Sequence, residues 1–259
     1  MSSDRPKRRH LLIPFGVLLA VIVIHAVYWM VVSGQIRGQA EAWIARQEAA
    51  GYVIDHEGLS VGGYPFRFSL RAAAPDIAAP EAEGGWRAQV DRLAATAQVY
   101  NLNHWILTPD GAAVFEALTS EGPARWIAGF ESARLSLSGA GGVTTRIGAS
   151  ATGLTLAAEA GPAPAVEAIG ALNLSGFLGE EDVFTLRVQA DQLRFAEGRL
   201  DAGLEAAFGR SAELWRMEAG VTEFDALARA GDPAEWRGAG GVLDVARAQL
   251  VWGAADVSG

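Results

Sequence analysis

The organisation of the chain follows from one apolar stretch, Leu11-Leu-Ile-Pro-Phe-Gly-Val-Leu-Leu-Ala-Val-Ile-Val-Ile-His-Ala-Val-Tyr-Trp-Met-Val-Val32. It contains one histidine, His25, and no Asp, Glu, Lys or Arg. About 20 apolar residues are enough for a helix to cross the hydrocarbon core of a bilayer. We therefore predict a transmembrane helix over residues 11–33, through which the protein binds the lipid bilayer.

Charge predicts the orientation of this helix. Positively charged flanks stay in the cytoplasm, and the residues before the span include Arg5, Lys7, Arg8 and Arg9. Residues 1–10 are therefore predicted to be a basic cytoplasmic N-terminus, and the chain after residue 33 to be exported. In a bacterium this describes a single-pass protein of the inner membrane with a periplasmic C-terminal domain.

A cleaved signal peptide is the alternative for this stretch. Its basic start is compatible with cleavage, and Val31-x-Ser33 resembles a small-residue cleavage site. The apolar run is nevertheless longer than the roughly 7–15 residues of a signal peptide's central region. An uncleaved signal anchor is the favoured interpretation, and cleavage stays open.

Composition limits the classes of partner and chemistry. The net charge is −9, and because residues 1–10 carry about +3, the remainder carries about −12. An acidic exported body argues against nucleic acid as a partner. The chain has no cysteine, which excludes disulfides, thiolate nucleophiles and cysteine-ligated metals.

The hydrophobic period changes after the membrane. A juxtamembrane helix is predicted over residues 34–50, because Ile36, Ala40 and Trp43 recur at helical spacing. Residues 51–259 alternate with a period of two and predict a β-rich periplasmic domain, with one possible helix near Ala112–Leu118. The predicted fold class is α+β: an N-terminal transmembrane helix followed by a mainly antiparallel, curved β-sheet with a few short helices.

Several predicted strands have one apolar and one polar face. Two arrangements would cover the apolar face: a second sheet packed against it, or a curved sheet that leaves an open groove. The alternating residues that would line such a groove are Leu135, Leu137, Phe184, Leu186 and Val188. His104 alternates with Tyr100, Leu102 and Ile106, so we expect it in the core rather than in a metal site.

The most distinctive segment is a turn followed by a strand. Glycine permits a tight turn and proline fixes φ, after which alternating aromatic residues begin a strand. We predict a hairpin that places aromatic side chains in the core. The residues of this candidate structural motif are Gly63, Tyr64, Pro65, Phe66, Arg67 and Phe68.

No catalytic, cofactor-binding or metal-binding residues are predicted. Gly58-Leu-Ser-Val-Gly62 matches the G-x-S-x-G pattern of hydrolases, but that elbow needs a helix after the serine. Here a glycine-proline turn and another strand follow. A hydrolase using Ser60 with His56 or His104 is therefore the least favoured function.

The basic start, single span, Gly63-Tyr-Pro-Phe-Arg-Phe68 hairpin and later Trp236-Arg-Gly-Ala-Gly-Gly241 segment together resemble a family. It is the uncharacterised, membrane-anchored periplasmic family DUF2125 of alphaproteobacteria. Residues 11–72 are also distantly similar to AsmA-like envelope proteins. The first resemblance implies a periplasmic domain on the inner membrane, and the second implies handling of lipid or envelope assembly.

Two functions remain from these observations. The first is a non-enzymatic protein that binds phospholipid or another apolar envelope component in a β-groove. The second is a scaffold or assembly factor that binds envelope proteins through sheet edges. Because the alternating pattern continues to Gly259, a further strand is expected beyond that residue in a longer chain.

Overall fold

The fold begins with a long helix. The computed structural model describes residues 9–140, 143–179, 183–224, 227 and 233–259. Helix α1 (Arg9–Ala49) is 41 residues long, so the predicted transmembrane and juxtamembrane helices form one unbroken element. Within the described residues it contains the one helix long and apolar enough to span a membrane, Ile13–Ala49. Pro14 lies in the second turn, inside the helix, where a proline removes one backbone hydrogen bond.

The described remainder of the chain is dominated by one sheet of fourteen strands, all paired antiparallel. The predicted fold class of a membrane-type helix followed by an antiparallel sheet is confirmed. The strands are β1 (Val53–Asp55), β2 (Gly58–Gly62), β3 (Arg67–Ala73), β4 (Asp76–Ala78), β5 (Arg87–Gln98), β6 (Asn101–Thr119), β7 (Gly122–Gly129), β8 (Ser132–Ala140), β9 (Val143–Ala160), β10 (Val166–Leu178), β11 (Phe184–Phe195), β12 (Ser211–Val221), β13 (Leu243–Trp252) and β14 (Ala255–Ser258).

The strand order is mostly sequential. It runs β1-β4-β5-β6-β7-β9-β10-β11-β12-β13-β14. Strand β3 pairs with β2 and β5, and β8 pairs with β6 and β9. Thus β3 shares one side of β5 with β4, and β8 shares the gap between β6 and β9 with β7. The described short helices are α2 (Ala202–Phe208), α3 (Pro233–Gly238) and a 3₁₀ turn at Glu81–Glu83.

The predicted helix near Ala112–Leu118 is wrong, because this segment is the second half of β6. Ala113–Glu116 pair with β5 on one side, and Ala113–Thr119 pair with β7 on the other. Alanine-rich sequence favours helix locally. Here hydrogen-bonding partners on both sides override that preference.

The register aligns apolar side chains into a row across ten strands. Directly paired residues point to the same face of a sheet. The row consists of Val61, Leu70, Ala95, Leu107, Leu135, Ala149, Leu174, Val188, Met217 and Ala248. We call the face that carries this row the apolar face.

The neighbouring row points the other way and is mostly polar. It runs Ser69, Thr96, Ile106, Ser136, Gly148, Ser175, Arg187, Glu218 and Arg247. Across it, Arg187 and Glu218 form an ion pair of 2.9 Å. We call this the polar face.

His104 lies on the polar face, so the expectation that it is a core histidine was wrong. Its ring nitrogens lie 3.3 Å and 3.0 Å from the hydroxyls of Ser136 and Ser138. The apolar residues beside it in sequence are misleading, because Trp105 and Leu107 are the ones that reach the apolar face.

A compact core forms where α2 covers the far strands of the apolar face. Its buried members are Ala190, Leu193, Ala212 and Trp252. Phe208 of α2 packs on Trp252 with ring centroids 5.4 Å apart. The indole N–H of Trp252 donates to the carbonyl of Gly209, which fixes the end of α2 to the sheet.

At the opposite side of the sheet, α1 packs against the start of β3. Trp29 stacks on Phe68 with ring centroids 5.6 Å apart, and Phe68 is completely buried. The indole N–H of Trp29 donates to the carbonyl of Arg67 at 3.1 Å. The imidazole Nε2–H of His25 donates to the carbonyl of Pro65 at 2.8 Å. Residues inside the apolar stretch of α1 therefore attach the sheet.

We expect Trp29→Ala to lower the free energy of unfolding by about 2–4 kcal/mol, because it exposes Phe68 and removes a stacked aromatic ring. Denaturant titration of the detergent-solubilised chain, followed by circular dichroism, measures this. Phe15→Ala is the control, since Phe15 is 65% exposed and should cost little. Equal stabilities for the two variants would contradict the attachment.

A second prediction concerns Asp76, whose buried carboxylate accepts hydrogen bonds from Arg87. The hydrogen bonds from Arg87 lower the pKa of Asp76 below its ordinary value. The stabilisation is therefore present above the ordinary carboxyl pKa and is lost as the pH falls through the lowered one.

We expect Asp76→Asn to cost about 1–3 kcal/mol at pH 7, with the difference from the native chain shrinking below about pH 4. Unfolding curves at several pH values test this. Asp110→Asn is the matched control, because Asp110 and its partner Arg92 are 66% and 68% exposed and such pairs contribute less than about 1 kcal/mol. A constant difference down to pH 2 would be inconsistent with the lowered pKa.

Candidate functional site

A groove lies between α1 and the apolar face of the sheet. Its volume is about 500 Å³, within the range that holds small-molecule ligands. One wall is the helix, which contributes Ile36, Ala40 and Trp43 at helical spacing. The floor comes from β3, β5, β6, β8 and β9. Its apolar side chains are Leu70, Ala95, Leu102, Trp105, Leu107 and Leu137.

The groove is uncharged. Its fourteen lining residues include no acidic or basic side chain, and the polar ones are Gln39, Asn103, Ser138 and Thr144. An ionised ligand group placed among such residues would lose its hydration without gaining a partner. The lining therefore suits an aliphatic chain, with the few amide and hydroxyl groups available for an ester or hydroxyl near its end.

The apolar face continues beyond the groove. In the row across the sheet, none of the ten side chains is fully buried, and Leu135, Leu174, Val188 and Met217 are half-buried. The described strands form one sheet, so the face is not sealed by a second one. No separate second sheet therefore packs on this face among the described strands, and the half-burial of the row leaves part of it accessible.

The five predicted groove residues share the apolar face but occupy different places on it. Leu137 lines the groove. Leu135 is two residues away on β8 and belongs to the row across the sheet. Leu186 and Val188 lie on β11, three strands away from β8, about 14 Å at ordinary strand spacing. The structure thus brings one of the five, Leu137, to the cavity itself.

Phe184 is in a different environment. It is 6% exposed and stacks on Phe224 with ring centroids 4.2 Å apart. Its ring also fills the space above Gly176, where an added Cβ would come within 2.4 Å of it. Phe184 therefore closes one part of the apolar face and is not open to a ligand.

The candidate hairpin packs against α1 at His25 and Trp29, N-terminal to the part of the helix that lines the groove. Gly63 adopts a φ of +102°, and a Cβ there would come within 2.7 Å of the carbonyl oxygen of Arg67, so glycine is required. The Tyr64-Pro65 peptide is cis. Phe68 points to α1 and is buried, whereas Phe66 is 75% exposed. The expected placement of aromatic rings in the core therefore holds for Phe68 and not for Phe66.

The residues considered for hydrolysis are not brought together. Ser60 is inside strand β2 and is paired with Arg71, so it is not on a strand-to-helix elbow. His56 is exposed beyond the end of β1. Ser60 pairs through Arg71 and Ala94 with Thr108, three strands and thus about 14 Å away across the sheet. His104 lies a further four residues along β6, which places it roughly 20 Å from Ser60.

The described residues also contain no group of three or more histidine or acidic side chains that could hold a metal ion. Acidic residues are instead paired with arginines on the sheet surface. Arg125, for example, bonds both Glu116 and Glu159, and the hydrogen bonds to Glu159 and Glu116 raise its pKa.

Sequence reasoning missed most of the groove, including Leu70, Ala95, Trp105 and Leu107. The helical wall had a signal, since Ile36, Ala40 and Trp43 already formed a stripe. The floor had only a weak one, because a single strand does not reveal which of its faces meets a helix 30 residues or more away in sequence. Register between strands was the missing information.

Comparisons with known proteins identify one family. Residues 29–259 match the model of one family, described as an uncharacterized protein conserved in bacteria (DUF2125). Comparisons with curated proteins and with solved structures found no significant match. The family match begins at Trp29, the residue that stacks on Phe68, and includes the groove and the whole sheet. The chain therefore belongs to the bacterial family DUF2125, a family of unknown function.

Proposed function

We propose that the protein is a non-enzymatic, membrane-anchored protein of the bacterial inner membrane that binds the apolar tails of phospholipid in the groove. The observation that carries this proposal is an uncharged groove whose wall is the same helix that is apolar enough to span a bilayer. A lipid tail leaving the membrane would meet Ile36, Ala40 and Trp43 in turn along α1.

Three observations support retention of the anchor. His25, Tyr28 and Trp29 each make a hydrogen bond to the sheet. Cleavage after Ser33 would remove all of them and expose Phe68. Burying a Phe side chain stabilises by about 1.5–3 kcal/mol. A mature form without residues 1–33 would lose this stabilisation, together with the hydrogen bonds between α1 and the sheet domain.

The apolar row extends the proposal from one site to a path. From the groove, Leu107 leads to Leu135, Ala149 and Leu174 on successive strands. A long acyl chain could lie across these half-buried side chains. Open apolar faces of this kind occur where proteins bind other apolar molecules.

The predicted topology is testable, because the chain has no cysteine. We expect Glu197→Cys, in an exposed turn after β11, to react with a membrane-impermeant maleimide in spheroplasts of a Gram-negative host. Ser2→Cys should react only after the membrane is permeabilised. The opposite pattern would overturn the orientation, and a product lacking its first 33 residues by mass would establish cleavage.

Lipid binding is tested on the full-length protein, extracted in mild detergent and analysed by native mass spectrometry with lipid extraction. We expect bound phospholipid at a fixed ratio, reduced about tenfold by Ala95→Trp, since displacing two CH₂ groups costs about 1.6 kcal/mol. Ala95 lines the groove, so the indole would occupy the place of the tail.

Ala94→Trp is the matched control, because Ala94 is the next residue of β5 and points to the opposite face. Circular dichroism should be the same for both variants. Equal lipid content in the two variants would show that the lipid surrounds α1 only. A lipid-free protein with a stoichiometric protein partner would favour the scaffold function instead.

A further inference from the structure

We propose that the sheet enters the membrane beside α1 through an aromatic tip, which we define as residues Tyr64–Phe66 and Val99–Tyr100. The tip would lie in the outer leaflet of the membrane, the one that faces the sheet domain. It would hold the membrane-proximal end of the groove at the lipid headgroups. This inference rests on the proposed membrane anchoring and adds an entry route for the lipid.

The first step is the height of the tip along α1. If the hydrocarbon begins near Leu11, about 20 residues bring its far boundary to Met30. The tip attaches to α1 on the hydrocarbon side of this boundary, because Pro65 is hydrogen-bonded to His25 and Val99 to Tyr28. His25 is five residues before Met30, about 7 Å along the helix axis. The sheet therefore cannot stay outside the bilayer unless the helix moves outward by the same distance.

The second step is the chemistry of the tip surface. Phe66 is 75% exposed and Tyr100 is 84% exposed, and Tyr64 beside them is 48% exposed. Large aromatic side chains with this exposure are costly in water. Aromatic rings are enriched where a membrane protein meets the interface between headgroups and hydrocarbon. The exposed rings of the tip therefore match the environment in which α1 would place them.

The third step is the backbone, whose polar groups must be paired if they enter hydrocarbon. The carbonyls of Pro65, Arg67 and Val99 accept hydrogen bonds from side chains of α1. Within the hairpin, the carbonyl of Gly63 accepts from the N–H of Arg67. Between the two turns of the tip, the carbonyl of Phe66 accepts from the N–H of Val99. Pro65 has no N–H to satisfy. These bonds remove much of the cost of moving the tip out of water.

The consequence for the groove follows from the same scale. Ile36, its lowest residue on α1, is six residues beyond Met30, about 9 Å along the helix axis. Since each headgroup region is roughly 5–7 Å thick, the lower end of the groove would lie at the outer surface of the headgroups. A lipid tail would pass from the bilayer along Trp29 and Ile36 into the groove without crossing bulk water.

The tip is limited to the strands next to α1. Adjacent strands of a sheet are rotated by about 20–25° relative to each other, so the ends of distant strands point away from the plane of the membrane. Exposed apolar residues at the start of β13, such as Leu243 and Val245, are therefore not included in the proposal.

The test uses single-cysteine variants of the cysteine-free chain, carrying a nitroxide spin label and reconstituted in phosphatidylcholine–phosphatidylglycerol vesicles. We expect the label at Phe66→Cys to be more accessible to oxygen than to a water-soluble nickel chelate, which places it below the headgroups. Leu118→Cys is the control, because Leu118 is 74% exposed and lies at the other end of β6, roughly 55 Å from the tip.

A label at residue 66 as accessible to the nickel chelate as the label at residue 118 would overturn the proposal. If the tip variant Phe66→Cys unfolds, Tyr100→Cys provides the same measurement from the turn between β5 and β6. The outcome is independent of lipid binding in the groove, which the Ala95→Trp comparison measures. A tip in the bilayer with an empty groove would reject the proposed ligand and keep the tip.

Discussion

The contact between Trp29 and Phe68 determines how the rest of the structure is placed. It joins a residue of the apolar helical stretch to the first residues of strand β3, and the hydrogen bond from Trp29 to Arg67 fixes the same point. Because β3 is attached there, Leu70 faces Ile36 and Ala40 two residues later on the strand. The groove exists because this attachment holds a strand and a helix side by side while their small side chains leave a gap.

The sheet itself depends on register rather than on a large buried core. In the described part of the chain, few apolar side chains are fully buried, and an uninterrupted apolar row nevertheless crosses ten strands. Cross-strand pairs on both faces supply the stability that a sandwich would obtain from its interior. An open apolar face is costly for a soluble protein, and a permanent position beside a bilayer is one setting in which that cost is offset.

Periodicity predicted the helix, the antiparallel sheet and the alternation of faces in β11, because each of these is a local property of residue order. It failed for Ala112–Leu118, where partners on both sides override helix preference, and for His104, whose face is set by Ser136 and Ser138 on another strand. The hairpin was predicted from Gly63 and Pro65. The groove was predicted only as a general apolar face, because its floor and wall meet through contacts that are distant in sequence.

The unbroken path of α1 has a mechanical consequence. The same helix serves as membrane span and groove wall, and it runs without a break from Arg9 to Ala49, a length of about 60 Å. Transmembrane helices tilt when their apolar length exceeds the thickness of the bilayer. A tilt of the inner half of α1 would be transmitted to the outer half and to the strands attached to it. The angle of the whole sheet to the membrane would then follow the thickness of the bilayer.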